Sequence, residues 1–268
     1  VGEGTNSIAY SSDGITWTGV GTDILSGGGF GVAWNRGEGS VYIQQPTIAV
    51  GEGPDNTIAY SSDGITWTGI GKSIFSTVGR GVAWNGTRWV AVGFGTDHSI
   101  AYSSDGITWK GLGTDIFSGG GYGVAWNGTR WVAVGQGTNN TIAYSSDGIT
   151  WEGAESSTSI FSGGGRSVAW NGTRWVAVGE GTNTIAYSSD GIEWTPVLGS
   201  TSIFSGGGYG VAWNGTLWVA VGQGTDHTIA YSSDGIAWDG AGKSIFSTVG
   251  RGVAWNGTLW VAVGEGGE

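Results

Sequence analysis

The chain has 268 residues, 10 Lys+Arg against 21 Asp+Glu, a net charge of −11 and no Cys. A nucleic-acid backbone and an anionic membrane surface are therefore disfavoured partners, and disulfides and thiolate metal sites are excluded. Gly is 57 residues without a collagen period, but it comes with 17 Trp, 9 Tyr and 7 Phe, enough aromatic surface for a core.

In chain order, Val1 falls in the middle of a repeat unit. The absence of Met and of a secretory leader reads as a processed protein, an excised piece of a longer array or an engineered chain. Thr5–Thr18 predicts a third and a fourth strand with no first or second before them. No apolar run approaches the ~20 residues a membrane span needs, so no membrane insertion is expected.

From there a unit repeats. Ser-Ser-Asp-Gly occurs six times, with its Asp at Asp13, Asp63, Asp105, Asp147, Asp190 and Asp234. Val-Ala-Trp-Asn also occurs six times, with its Trp at Trp34, Trp84, Trp126, Trp170, Trp213 and Trp255. Spacings are 42 to 44 residues, except for a first interval of 50. That interval holds an insertion, Arg36–Pro46, in place of a short turn, and adds eight residues. In the second full unit the predicted strands are Gly81–Asn85, Arg88–Gly93, Ser99–Ser103 and Ile107–Lys110, all rich in β-branched and aromatic residues. Asn85-Gly86 predicts a type I′ hairpin turn between the first two. Asp105 predicts a side-chain acceptor for the backbone of its own turn between the last two.

A period near 43 residues with four strands per unit predicts an all-β, six-bladed β-propeller, one domain over residues 1–268. The chain finishes on Gly252–Gly266, a first and second strand with no third or fourth. The last blade is therefore expected to form from both ends, third and fourth strands from the start and first and second from the finish. The closing segment is present twice, as Val1–Thr5 and Val263–Gly267, and one copy is expected to fray. All 17 Trp fall in three columns, which predicts packing between blades and not a ligand platform.

The string Ser11-Ser12-Asp13-Gly14-Ile15-Thr16-Trp17 and its five relatives resemble the Asp-box of sialidase-like and other BNR-type propellers, S-x-D-x-G-x-T-W, with Gly one residue early. The Thr is lost at Glu193 and Ala237. The resemblance implies the propeller and a structural turn, in enzymes and non-enzymes alike. Tachylectin-type propeller lectins are a looser likeness in architecture. Sialidase chemistry would require three clustered Arg, a Tyr–Glu pair and an acid Asp. Here Arg sit in repeat columns and no Tyr–Glu pair stands apart from the repeat, so no catalytic residue and no enzyme is expected.

Other candidates reduce to structure. His98 and His227 lie in loops of the second and fifth blades, opposite in a ring of six, and are read as exposed loop residues. One carboxylate per Asp turn is too few for calcium, so no metal and no cofactor is expected. Asn-Gly-Thr at Asn85, Asn127, Asn171, Asn214 and Asn256 matches the glycosylation pattern, but the hairpin already explains it.

One column stands out. Two residues before each first-strand Val stand Phe30, Arg80, Tyr122, Arg166, Tyr209 and Arg251, alternating aromatic and Arg after Gly-rich stretches. These are the candidate ligand-binding residues, on the face of the loops after second and fourth strands, where the copies vary. The reading is a non-enzymatic, multivalent carbohydrate-binding propeller with up to three like sites, with a structural or display scaffold as the alternative. A monomeric ring or part of a longer array is expected, with an extracellular or surface location slightly favoured.

Overall fold

The computed structural model describes residues 2, 4–11, 15–33 and 46–266. Val1, Asp13, Trp34, Gly267 and residues 36–45 of the insertion lie outside the described residues. Five antiparallel sheets of four strands follow one another: β3–β6 (residues 28–71), β7–β10 (78–111), β11–β14 (120–153), β15–β18 (164–196) and β19–β22 (207–240). Two two-stranded sheets come from the ends, β1 (Ala9–Tyr10) with β2 (Thr18–Gly19), and β23 (Val249–Trp255) with β24 (Trp260–Glu265). The first strands β3, β7, β11, β15, β19 and β23 pack on one another in sequence and form the innermost layer. This is a six-bladed propeller whose last blade is supplied by the two ends.

In the five four-stranded sheets each second strand is buried on both faces, as Trp131–Gly135 are in β12, whereas β24 is largely exposed. Neighbouring blades share their apolar residues: Ile48, Val50 and Ile58 of one sheet cluster with Phe75, Trp89 and Trp109 of the next. The Trp of the first and second strands face each other across the hairpin, Trp126 and Trp131 with ring centroids 5.0 Å apart. A second tie between blades is made by Arg130, whose Nη1 donates to the Asp190 carbonyl at 2.7 Å and whose guanidinium lies 5.6 Å from the Tyr144 ring. Arg88 and Arg174 repeat it toward Asp147 and Asp234.

Local chemistry alters three expectations. The fourth strand of the second unit is only Lys110–Gly111, because the N–H groups of Ile107 and Thr108 are spent on Asp105 Oδ1 at 2.8 and 2.7 Å. The Asn85-Gly86 connection is not type I′. Gly86 has φ 101°, but Asn85 does not have positive φ; its Oδ1 instead accepts from the N–H groups of Thr87 and Arg88 at 2.9 and 2.7 Å. A side-chain acceptor thus replaces the second left-handed residue. Finally, single helical turns at Ser157–Ile160 and Ser200–Ile203 fill two of the loops between blades, which no periodicity announced.

The first strands also start earlier than expected, β7 at Val78 instead of Gly81. In each, the register with the second strand shifts by one residue, between Gly79 and Gly81 in β7 and at the matching place in the other five. The reason lies in the partner. A Cβ on Gly135 would meet the Gly120 carbonyl at 2.5 Å, so the strands approach more closely than side chains permit and the extra residue is pushed out as a bulge.

The two end sheets differ from the other blades. Among the described residues no strand pair joins β24 to β1. Of the two closing copies, the first is held at Gly2, whose N–H donates to the Ser7 carbonyl at 3.0 Å and whose carbonyl accepts from Gly29 at 2.8 Å.

Candidate functional site

The bulged residue of the six first strands is Phe30, Arg80, Tyr122, Arg166, Tyr209 or Arg251. A bulge re-aims its side chain, and all six line one cavity of about 1030 Å³ on the axis, together with Gly2, Glu180, Val263, Gly264 and Glu265. They lie near the starts of the first strands and opposite the ends of the second strands, the end of the channel on the variable-loop side. The ring therefore gathers into one space residues about 43 positions apart. The six side chains share one space and do not fall into three separate ones.

Within the ring the column resolves into pairs. The Arg80 guanidinium lies 4.1 Å from the Phe30 ring centroid, Arg166 3.9 Å from Tyr122 and Arg251 5.2 Å from Tyr209. Each Arg leans on the aromatic ring of the preceding blade. A second layer comes from the last residue of each second strand, which the sequence reading passed over. Glu180 accepts from Arg166 Nε and Nη2 at 3.2 and 2.8 Å, and Glu265 takes Arg251 at 2.8 Å. In the second blade that place is Phe94, edge-on to Tyr122 at 5.0 Å. The signal was in the sequence: after each Val-Gly the residue varies, as Glu52, Phe94, Gln136, Glu180, Gln223 and Glu265.

The electrostatics follow from these contacts. Burial works against the charge of Arg166, but the Glu180 carboxylate and Tyr122 outweigh it and raise its pKa. Burial raises the Tyr209 phenol, and the negative Glu180, to which it hydrogen-bonds, raises it further. Along the chain the Arg sit in repeat columns and no Tyr–Glu pair stands apart from the repeat. The ring places Arg80, Arg166 and Arg251 on one cavity and Tyr209 against Glu180 all the same. No Asp lines that cavity among the described residues.

The other candidates are structural. In each described Asp turn the carboxylate accepts two backbone N–H groups and the preceding Ser hydroxyl, as at Asp63, where Ile65, Thr66 and Ser61 donate at 2.8, 2.7 and 2.9 Å. His98 and His227 are half-buried, not exposed. Their Nδ1 atoms accept from the N–H of Gly113 and Gly242 at 3.0 and 3.1 Å, the task Asn56 performs for Gly71. No group of three or more His, Cys, Asp or Glu with metal-site geometry occurs among the described residues.

The chain shares its fold with solved propellers. A structural-genomics protein of unknown function from Bacteroides thetaiotaomicron superposes with a TM-score of 0.57 at 13% identity, covering 98% of this chain and 70% of that one. The computationally designed Ika8 protein gives 0.56 at 12%, covering 88% and 68%. The GH74 enzyme of Niastella koreensis gives 0.53 at 17%, covering 81% of this chain, which spans only 32% of that enzyme. At these identities the likeness is one of fold. No family model and no curated protein matches the chain.

Proposed function

We propose that the chain is a non-enzymatic binding module that takes one carbohydrate ligand in its axial cavity. The observation that carries this is the convergence of three aromatic and three Arg side chains, alternating blade by blade, on a single space of about 1030 Å³. Aromatic faces stack on the apolar faces of sugar rings. A guanidinium offers five donors, so Arg166 keeps N–H groups for ligand hydroxyls after Glu180 has taken two. Gly29, Gly252 and Gly264 in the lining let the ligand approach the backbone. The acidic chain argues against a nucleic acid in the same space.

One feature favours binding over catalysis. Both carboxylates of the described lining, Glu180 and Glu265, are engaged by Arg. That same closure supports the second reading, a scaffold in which the Arg–aromatic pairs serve packing alone.

A glycan array followed by calorimetry on the best hit separates the two. Binding is expected with Kd on the order of 0.1–1 mM and is expected to be lost in a Tyr122→Ala, Tyr209→Ala double variant that keeps the wild-type melting curve. An array without hits, or an unchanged affinity in the double variant, favours the scaffold.

A further inference from the structure

The blades differ in how the loop before the first strand is tied to the loop after the second. In the second, third and fifth blades a Ser and a Thr make the tie. Ser76 Oγ accepts from the Thr96 N–H at 2.8 Å and lies 3.1 Å from Thr96 Oγ1, and Ser118 with Thr138 and Ser205 with Thr225 repeat both contacts. In the first blade the residue at the place of that Thr is Pro54. Pro has neither the hydroxyl nor the N–H, so it supplies neither bond to Ser26.

The two loops stand farther apart there. A Cβ placed on Gly95, Gly137 or Gly224 would meet the Ile carbonyl of the facing loop at 2.8, 2.9 or 2.4 Å, whereas one on Gly53 would meet that of Ile24 at 3.3 Å. At this untied corner lies a cavity of about 330 Å³, walled by Ser26, Glu52 and Pro54 of the first blade and by Lys72, Ser76 and Thr77 of the loop that enters the second. It sits on the variable-loop face and shares no lining residue with the axial cavity.

Its two charges are not used within the fold. Residues 71–87 and 242–258 are identical in sequence. Lys243 Nζ donates to the Thr225 carbonyl at 3.1 Å, but Lys72 makes no matching bond to Pro54. Among the described residues neither Lys72 nor Glu52 has a side-chain hydrogen bond or an ion pair, with one another or with any other group.

We propose that this cavity is a second ligand site, suited to a small zwitterion of the class of the free polar α-amino acids. The Lys72 ammonium takes the carboxylate, the Glu52 carboxylate takes the ammonium, and Ser26 and Thr77 offer hydroxyls to the polar remainder. A simple acid would be opposed by Glu52 and a simple amine by Lys72, so only a ligand with both charges avoids a like-charge contact. The volume is at the lower end for small-molecule pockets, which suits a monomer. No aromatic or large aliphatic side chain lines the cavity to receive an apolar one.

Titration of the full-length chain with L-serine, followed in amide correlation spectra, tests this. Saturable shifts are expected at Gly27, Gly53, Lys72 and Thr77 and not at Tyr122 or Tyr209 of the axial cavity. Glycerate, which lacks the ammonium, and ethanolamine, which lacks the carboxylate, are expected to bind at least about tenfold more weakly, the weight of one charge-assisted hydrogen bond. Lys72→Gln and Glu52→Gln should each weaken L-serine by a similar factor. Pro54→Thr, which restores the tie of the other blades, is expected to abolish the shifts without lowering the melting temperature. Absence of saturable shifts with L-serine, equal affinity for glycerate or ethanolamine, or unchanged affinity in any of the three variants would each overturn the proposal.

Discussion

The residues with the most defined task are those that close a turn or fill a seam. Trp109 sits at the joint between two blades, 9% exposed, with its indole N–H given to the Gly106 carbonyl at 3.0 Å. Trp109→Ala is expected to cost roughly 3–5 kcal/mol in urea melts; a loss below about 1 kcal/mol would contradict a packing role. His98 acts as an acceptor, so His98→Asn, which restores the residue type of Asn56, should leave stability within about 0.5 kcal/mol. His98→Ala, which orphans the Gly113 N–H, should cost about 1 kcal/mol. The Asp turns set the acid limit. At Asp105 burial opposes ionisation, but the N–H groups of Thr108 and Ile107 and the Ser103 hydroxyl prevail and lower the pKa; at Asp234 the N–H groups of Ile236 and Ala237 act first. A carboxyl that ionises at lower pH when folded stabilises fully above its unfolded value, 3.8, and loses this as pH falls through the folded one. Urea midpoints should therefore be level from pH 7 to 5 and drop below about pH 4, with a smaller drop in Asp105→Asn. A midpoint that rises on acidification would contradict this.

At the scale of the element, the existence of the strands and the places of both turns were legible because their signals are local, though the Asn-Gly turn type and several strand ends were not. Period, β-branched runs, Asn-Gly and Ser-Ser-Asp-Gly each act within a few residues of themselves. The bulge was not legible, since it arises from how closely two strands approach, and the run Gly119–Gly121 reads equally well as a loop. That run supplies the strand start and sets Tyr122 as the bulged residue. Gly135→Ala tests the geometry: its Cβ would meet the Gly120 carbonyl at 2.5 Å, and backbone cannot step aside as a side chain can. The expected loss is roughly 1–3 kcal/mol. A neutral effect would mean that the two strands are farther apart and the bulge has another cause.

The whole molecule adds what no single repeat contains. The alternation of aromatic and Arg was visible along the chain, but its meaning depends on the ring, which turns residues 43 apart into neighbours and sets each Arg on the ring of the blade before it. The same closure hid Glu180 and Glu265, whose column looked like the loose end of a strand, and turned repeat-column Arg into a cluster. On the binding function proposed above, a ligand occupies one cavity and not six blades. The most direct measure of that claim is the stoichiometry of the best glycan hit, read by native mass spectrometry of the full-length chain. One ligand per chain, abolished by Tyr122→Ala with Tyr209→Ala, is the predicted result. Two or more ligands per chain, or a single ligand that survives both substitutions, would contradict an axial site.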